Sequence, residues 1–200
     1  MLEAWQERGF FKAQVHGDSR ELTSNPVSSR IALTIYIDEG QQYRVEALSS
    51  RANKAITDAP TLRRPFPINN GEIFSRKKFA QGLENLKKEY QVWGYANFTS
   101  VPELAFVEGE RTIRFDIDMD EGKQFIVSAI NLIGEDENVL AQASQDLLLK
   151  VGEVYNQNLL DVFAEKHPFG NGRNSLSRFL LNEPEGTVAI TLDLRQCHTR

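Results

Sequence analysis

Apolar and polar residues alternate along three stretches of this chain, and the three stretches are copies of one pattern. Ile31, Leu33, Ile35 and Ile37 occupy every second position, and the run closes on Asp38-Glu39-Gly40. Ile113, Phe115, Ile117 and Met119 repeat this past the middle of the chain and close on Asp120-Glu121-Gly122. Val188, Ile190, Leu192 and Leu194 follow at a similar interval, without the Asp-Glu-Gly ending. Strict alternation predicts a strand with one buried and one wet face. Its recurrence at near-even intervals predicts a tandem array of small modules.

The flanks fall into register with the strands. Gln42-Tyr43-Arg44-Val45-Glu46-Ala47-Leu48 and Gln124-Phe125-Ile126-Val127-Ser128-Ala129-Ile130 match in aromatic, Val and Ala, and both read as short strands. Phe79, Leu83, Leu86 and Tyr90 share one face of a helix, which Ser75 caps and Gly94 stops. Trp5, Gly9 and Phe10 repeat Tyr90, Gly94 and Tyr95, so residues 1–8 read as the last turn or two of an equivalent helix. The first module then lacks its opening strand and most of its helices.

The last stretch predicts a full module. A strand over 125–133 ends at Gly134, and a helix carries Leu140, Ala143 and Leu147 and closes at Gly152. A second helix, capped by Asn156 and ended by Pro168, carries Leu159, Leu160 and Phe163. A 170–172 turn, a run over 178–182, a turn at 183–186 and a final strand over 187–196 complete it. Gly71 and Phe74 stand in the same relation to each other as Gly152 and Tyr155, so the middle module has the same plan. Pro60, Pro65 and Pro67 crowd its first helix, which should be short or irregular. The expected fold is α+β, with each module running strand-helix-helix-strand-strand. Two helices cover one face of a three-stranded mixed sheet. The expected divisions are 1–40, the C-terminal part of a first module, then 41–122 and 123–200.

Charge narrows the partners. With 23 basic and 28 acidic residues the net charge is −5, which gives no reason to expect nucleic acid. The clusters Arg63-Arg64, Arg76-Lys77-Lys78 and Lys87-Lys88 read as solvated helix faces. The single cysteine, Cys197, permits no internal disulfide. The longest mostly apolar run, 125–133, is far shorter than the roughly 20 residues of a membrane helix, and residues 1–5 carry no signal-peptide pattern. His16, His167 and His198 show no zinc spacing, Asp116, Asp118 and Asp120 read as solvated strand acids, and the 170–172 turn is no phosphate loop. No catalytic residue, cofactor or metal is expected.

The module plan resembles the POTRA domain. The likeness is carried by Tyr90, Gly94 and Tyr95, by Glu121 and Gly122, and by Gly134, Gly152 and Tyr155; Trp5, Gly9, Phe10, Glu39 and Gly40 repeat it. POTRA domains occur as strings in the periplasm ahead of outer-membrane β-barrels of the BamA and TamA type and of two-partner secretion transporters. The resemblance implies a non-catalytic scaffold that binds unfolded outer-membrane or secreted polypeptides, or docks envelope lipoproteins, with a C-terminal β-barrel in the full-length protein. The other reading is a rigid spacer that binds no client. By the same resemblance the second strand of a module is an exposed edge that an extended client can join. In the middle module that is Ala96, Asn97, Phe98, Thr99, Ser100 and Val101. In the last it is Arg178, Phe179 and Leu180, with the run continuing to Asn182. Phe98, Phe79 and Leu83 are candidates to line the adjoining groove, against the plainer reading that they fill the core. Glu39 and Glu121 read as solvated turn acids, and Gly40 and Gly122 as hinges between modules.

Overall fold

The first alternating stretch folds as β2 (Ser29–Asp38), paired antiparallel with β1 (Gln14–Ser24) and preceded by the short helix α1 (Leu2–Gln6). The second is β5 (Thr112–Asp120), the central strand of a sheet flanked by β3 (Arg44–Arg51) and β4 (Thr99–Val107). Helices α2 (Ala59–Arg63) and α3 (Arg76–Val92) connect β3 to β4. The third is β8 (Thr187–Asp193), central between β6 (Ile126–Ile133) and β7 (Leu176–Asn182), with α4 (Glu137–Asp146) and α5 (Gln157–Lys166) between β6 and β7. The computed structural model describes residues 2–24, 28–134, 136–167 and 176–195. Pro168, the 170–172 turn, Gln196, Cys197 and His198 lie outside them.

The fold is α+β with three-stranded mixed sheets. In each, the first strand runs parallel to the central one, and β7 runs antiparallel to β8. Both parallel pairs carry a bulge at the same place, between Val45 and Ala47 and between Val127 and Ala129. The chain divides into two compact units: Met1–Ala52 with Ile56–Asn85 and Val101–Asp118, and Asn53–Ala55 with Leu86–Ser100 and Met119–Arg200.

In the first unit the middle sheet is buried by aromatic stacking. Phe74 and Phe79 lie over Phe115 at 5.4 and 4.1 Å, and Phe66 covers Phe79. Gly82 lets α3 approach Phe66, because a Cβ there would overlap that ring. Ile113, Phe115 and Ile117 are therefore at most 1% exposed, whereas Ile31 and Leu33, on the same pattern in β2, are 65% and 66% exposed. Alternation thus selects a face, and only packing decides whether that face is covered. In the second unit, Phe125, Ala143, Phe163, Val188 and Ile190 form the core of the last sheet and its helices.

The helix starts follow their capping residues. Ser75 accepts from Lys78 N–H at 3.2 Å, Asp136 from Asn138 N–H at 2.8 Å, and Asn156 from Leu159 N–H at 3.4 Å. The proline-crowded helix α2 is five residues long, as expected. Gly152 does not close α4, which ends at Asp146. With φ +90° it instead turns the chain so that Val154 bridges to Ile126. The final strand ends at Asp193, where Arg195 folds back to give its carboxylate two guanidinium bonds, at 2.8 and 2.5 Å.

That pair makes a pH prediction. The hydrogen bonds from Arg195, foremost, hold the Asp193 carboxyl down from 3.8 to about 2. A depressed folded-state value stabilises the fold above the ordinary value, and this is lost as pH falls toward the folded one. Protection of the β8 amides, taken against the intrinsic exchange rate at each pH, should therefore fall between about pH 4 and pH 2, and less so in Asp193→Asn. An unchanged acid profile in that variant would remove Asp193 as the cause.

Candidate binding edges and module joints

The order β3-β5-β4 leaves β3 and β4 as edges, and β6-β8-β7 leaves β6 and β7. The first-strand edges are partly closed. Val45 donates its N–H to Glu72 O and accepts from Gly71 N–H through its carbonyl; Val127 does the same with Glu153 and Gly152. Among the described residues, the backbone groups of β4 and β7 that face away from their sheets form the longer open rows.

The predicted edge residues divide between strand and turn. Thr99, Ser100 and Val101 open β4, which runs on to Val107. Ala96, Asn97 and Phe98 precede it in a turn, so the strand starts later than expected, at Thr99. The reason is local: after the helix stop at Gly94, the chain makes a further tight turn, with Phe98 N–H bonded to Tyr95 O. Phe98 lines no groove. It is 2% exposed and stacks flat on Tyr90 with centroids 4.0 Å apart. Phe79 is likewise core, and Leu83 is half-buried. Arg178, Phe179 and Leu180 lie within β7 and are exposed, Phe179 with its ring edge against Tyr155.

The repeated aromatic-x-x-x-Gly-aromatic motif is a helix stop with a second use. Gly94 has φ +90°, its N–H bonds Gln91 O, and Tyr95 N–H reaches back to Tyr90 O at 3.0 Å. Gly9 has φ +86°, its N–H bonds Gln6 O, and Phe10 N–H reaches Trp5 O at 3.1 Å. This is the left-handed glycine cap, with its hydrophobic contact supplied by the ring pairs Tyr90–Tyr95 and Trp5–Phe10. The glycine carbonyl then receives the next strand: Gly9 O accepts from Tyr43 N–H and Gly94 O from Phe125 N–H, both at 2.9 Å. The preceding glutamine seals each joint, Gln42 Nε2 donating to Arg8 O and Gln124 Nε2 to Trp93 O.

A further contact repeats with different chemistry. Just after each glycine a side chain reaches the turn of the following hairpin: Lys12 bonds Glu108, and Asn97 Nδ2 bonds Glu183 Oε1 at 3.1 Å. Around Lys12 the contact is charged and aromatic. Its ammonium lies 4.5 Å over the Phe106 ring, and Tyr43 donates to Glu108 Oε2 at 2.6 Å. Those two donors, Lys12 first, lower the Glu108 carboxyl below its ordinary value. The sequence signal for these joints is the Gln-aromatic pair in register, Gln42-Tyr43 and Gln124-Phe125.

Glu121 is not solvated, contrary to expectation. It is 8% exposed and accepts from Tyr90 Oη at 2.8 Å, Lys54 N–H at 2.9 Å and Ala55 N–H at 2.9 Å. Burial, and next the bond to Glu121, push the Tyr90 hydroxyl up from its ordinary value. Glu39, its counterpart, is exposed. Gly40 and Gly122 have φ +65° and +63°, and each N–H bonds the carboxylate of the preceding aspartate, Asp38 or Asp120, at 3.1 Å. A Cβ on Gly122 would overlap the Asn97 side chain. The strand acids Asp116 and Asp118 face Arg51 at 3.1 and 3.5 Å, and Arg51 also pairs with Glu103 at 2.6 Å. Exposed pairs of this kind add little stability. Among the described residues, no group of three His, Cys, Asp or Glu is placed to hold a metal. No described helix is long and apolar enough to cross a membrane.

Residues 43–122 match the POTRA family model, described as surface antigen variable number repeat. Over 160 residues the chain is 28% identical to a Treponema pallidum (strain Nichols) protein named for outer membrane protein assembly, covering 77% of this chain and 18% of that one. Over 168 residues it is 24% identical to the outer membrane protein assembly factor BamA of Neisseria meningitidis serogroup B, covering 78% and 20%. The chain thus spans about a fifth of the length of the curated relatives it matches. The crystal structure of Haemophilus influenzae BamA POTRA3-5 superposes with a TM-score of 0.71 at 17% identity, over 96% of this chain and 76% of that one. Haemophilus ducreyi BamA lacking POTRA domains 1-3 superposes with a TM-score of 0.62 at 13% identity, over 76% and 29%.

Proposed function

We infer that this chain belongs to the POTRA domain family and is a non-catalytic scaffold in outer-membrane protein assembly or secretion. It works in the periplasm as part of a longer protein whose barrel holds it at the outer membrane. Its clients are unfolded outer-membrane or secreted polypeptides, which it receives by strand addition. The observation that carries this reading is the outer row of β4 and β7, unpaired among the described residues, on sheets whose central strands bury their apolar faces. A segment laid along such a row gains backbone pairing whatever its side chains, which suits a carrier of many clients. Residues 1–40, 41–122 and 123–200 are taken as successive modules, with Gly40 and Gly122 as the turns through which one passes to the next.

A second reading, a rigid spacer or lipoprotein dock, draws support from the repeated joints at Gly9 and Gly94. One titration separates the two. An isotope-labelled chain titrated with an unfolded β-barrel peptide should show amide shifts confined to β4 or β7 and the adjoining helices. An unperturbed spectrum at about millimolar peptide would overturn strand addition in favour of the spacer.

A further inference from the structure

We propose that the last sheet receives an added strand on β7, and that Pro102 closes the matching row of β4; this rests on the strand-addition reading above.

Which backbone groups face outward decides between the two edges. On β8, Gly186 O accepts from Ile126 N–H and Leu194 N–H donates to Ile133 O. Even-numbered residues of β8 therefore point their backbone groups toward β6, and odd-numbered ones toward β7, because successive residues of a strand face opposite neighbours. The register pairs Thr187 with Asn182, Ala189 with Leu180 and Thr191 with Arg178. Asn182, Leu180 and Arg178 thus spend their groups on β8. Ser177, Phe179 and Leu181 present theirs to the open side.

The middle sheet has the same layout. Arg111 O accepts from Arg44 N–H, as Gly186 O does from Ile126 N–H. The two hairpins share a connection of equal length with the same bond across it, Arg111 N–H to Glu108 O and Gly186 N–H to Glu183 O. Carrying the register across, Ser100, Pro102, Leu104 and Phe106 face the open side of β4, and Pro102 occupies the position that Ser177 holds in β7. A proline there has no N–H to give an incoming strand, and its ring projects where that strand must lie. Edge prolines are a known means of blunting a sheet. Every outward position of β7 keeps its N–H.

The side chains agree. Phe179 and Leu180, adjacent and on opposite faces of β7, are 41% and 74% exposed. The occupant that covers both is an extended polypeptide segment with apolar residues at neighbouring positions. Cross-strand contact then adds to backbone pairing on each face.

The test exchanges the two residues in the full 200-residue chain. The probe is a short valine-threonine peptide bearing one nitroxide, and the readout is paramagnetic broadening of assigned amides. In the native sequence, broadening is expected at Ser177, Phe179 and Leu181 and not along 100–106. Ser177→Pro should weaken binding by about tenfold or more. Pro102→Ser should create broadening along 100–106 and leave β7 unchanged. Broadening on β4 of the native chain overturns the assignment while strand addition stands. So does native-strength binding by Ser177→Pro with an otherwise intact amide spectrum. If Ser177→Pro does not fold, Pro102→Ser decides: no gain on β4 overturns the role of Pro102. Silence in every chain defeats strand addition itself, and this inference with it.

Discussion

Replacing Glu121 by alanine is expected to destabilise the structure around it by about 3 kcal/mol, the cost of leaving several buried donors without an acceptor. The carboxylate is the acceptor for three donors, the Tyr90 hydroxyl and the Lys54 and Ala55 amides, and it sits almost out of solvent. Three orphaned donors explain why the loss should exceed that of a typical surface change, which falls within about 0.5 kcal/mol. Glu39→Ala supplies that comparison, since Glu39 follows β2 in the same motif but is exposed. Tyr90→Phe should cost about 1 kcal/mol, and the double variant should cost less than the two together, because the pair shares one bond. Because the chain has two compact units, a single global midpoint would blur the effect. Amide exchange at Lys54, Ala55 and residues 90–98 is the sharper readout. Unchanged protection there in Glu121→Ala would show that the clamp contributes nothing.

The second large effect is expected at Gly94, where valine should cost about 3 kcal/mol from backbone strain and overlap together. The glycine sits at φ +90°, and a Cβ would lie 2.6 Å from Val154 Cγ1 and 3.0 Å from Gln124 Cγ. Gly152 provides the control: its φ is also +90°, but a Cβ there would meet nothing within 4 Å. Gly152→Val therefore measures strain alone, about 1–2 kcal/mol. The excess in Gly94→Val is the cost of opening the joint at Phe125, visible as faster exchange of the Phe125 amide. Equal losses in the two variants would mean that Gly94 is only a helix stop.

The difference between those glycines marks where the sequence stops speaking. Both read in the sequence as helix ends, and both have φ +90° in the structure. Only the packing of Val154 and Gln124 around Gly94 makes one of them a joint. Glu121 is a similar case. An acid beside a glycine after an alternating strand reads as a turn, and the turn is there, with Asp120 bonded to Gly122. Its burial depends on Tyr90 and on the 53–55 segment, both far from it along the chain. No local pattern carries that information. Phe98 misled for the same reason, since an aromatic leading into an edge strand looks available until the ring of Tyr90 is placed over it.

What the sequence determined by itself is the repeat: the strand faces by period two, the helix by its four-three-four spacing, and the stops by glycine. It also determined the α+β order of elements, because each rests on residues near one another in the chain. The tertiary structure decided which of those faces are covered and which acid is buried. It also showed that the recurring Gln-aromatic pair is a joint. Those properties depend on neighbours brought together across the sheet and across the joint, where contact is set by packing and hydrogen-bond direction.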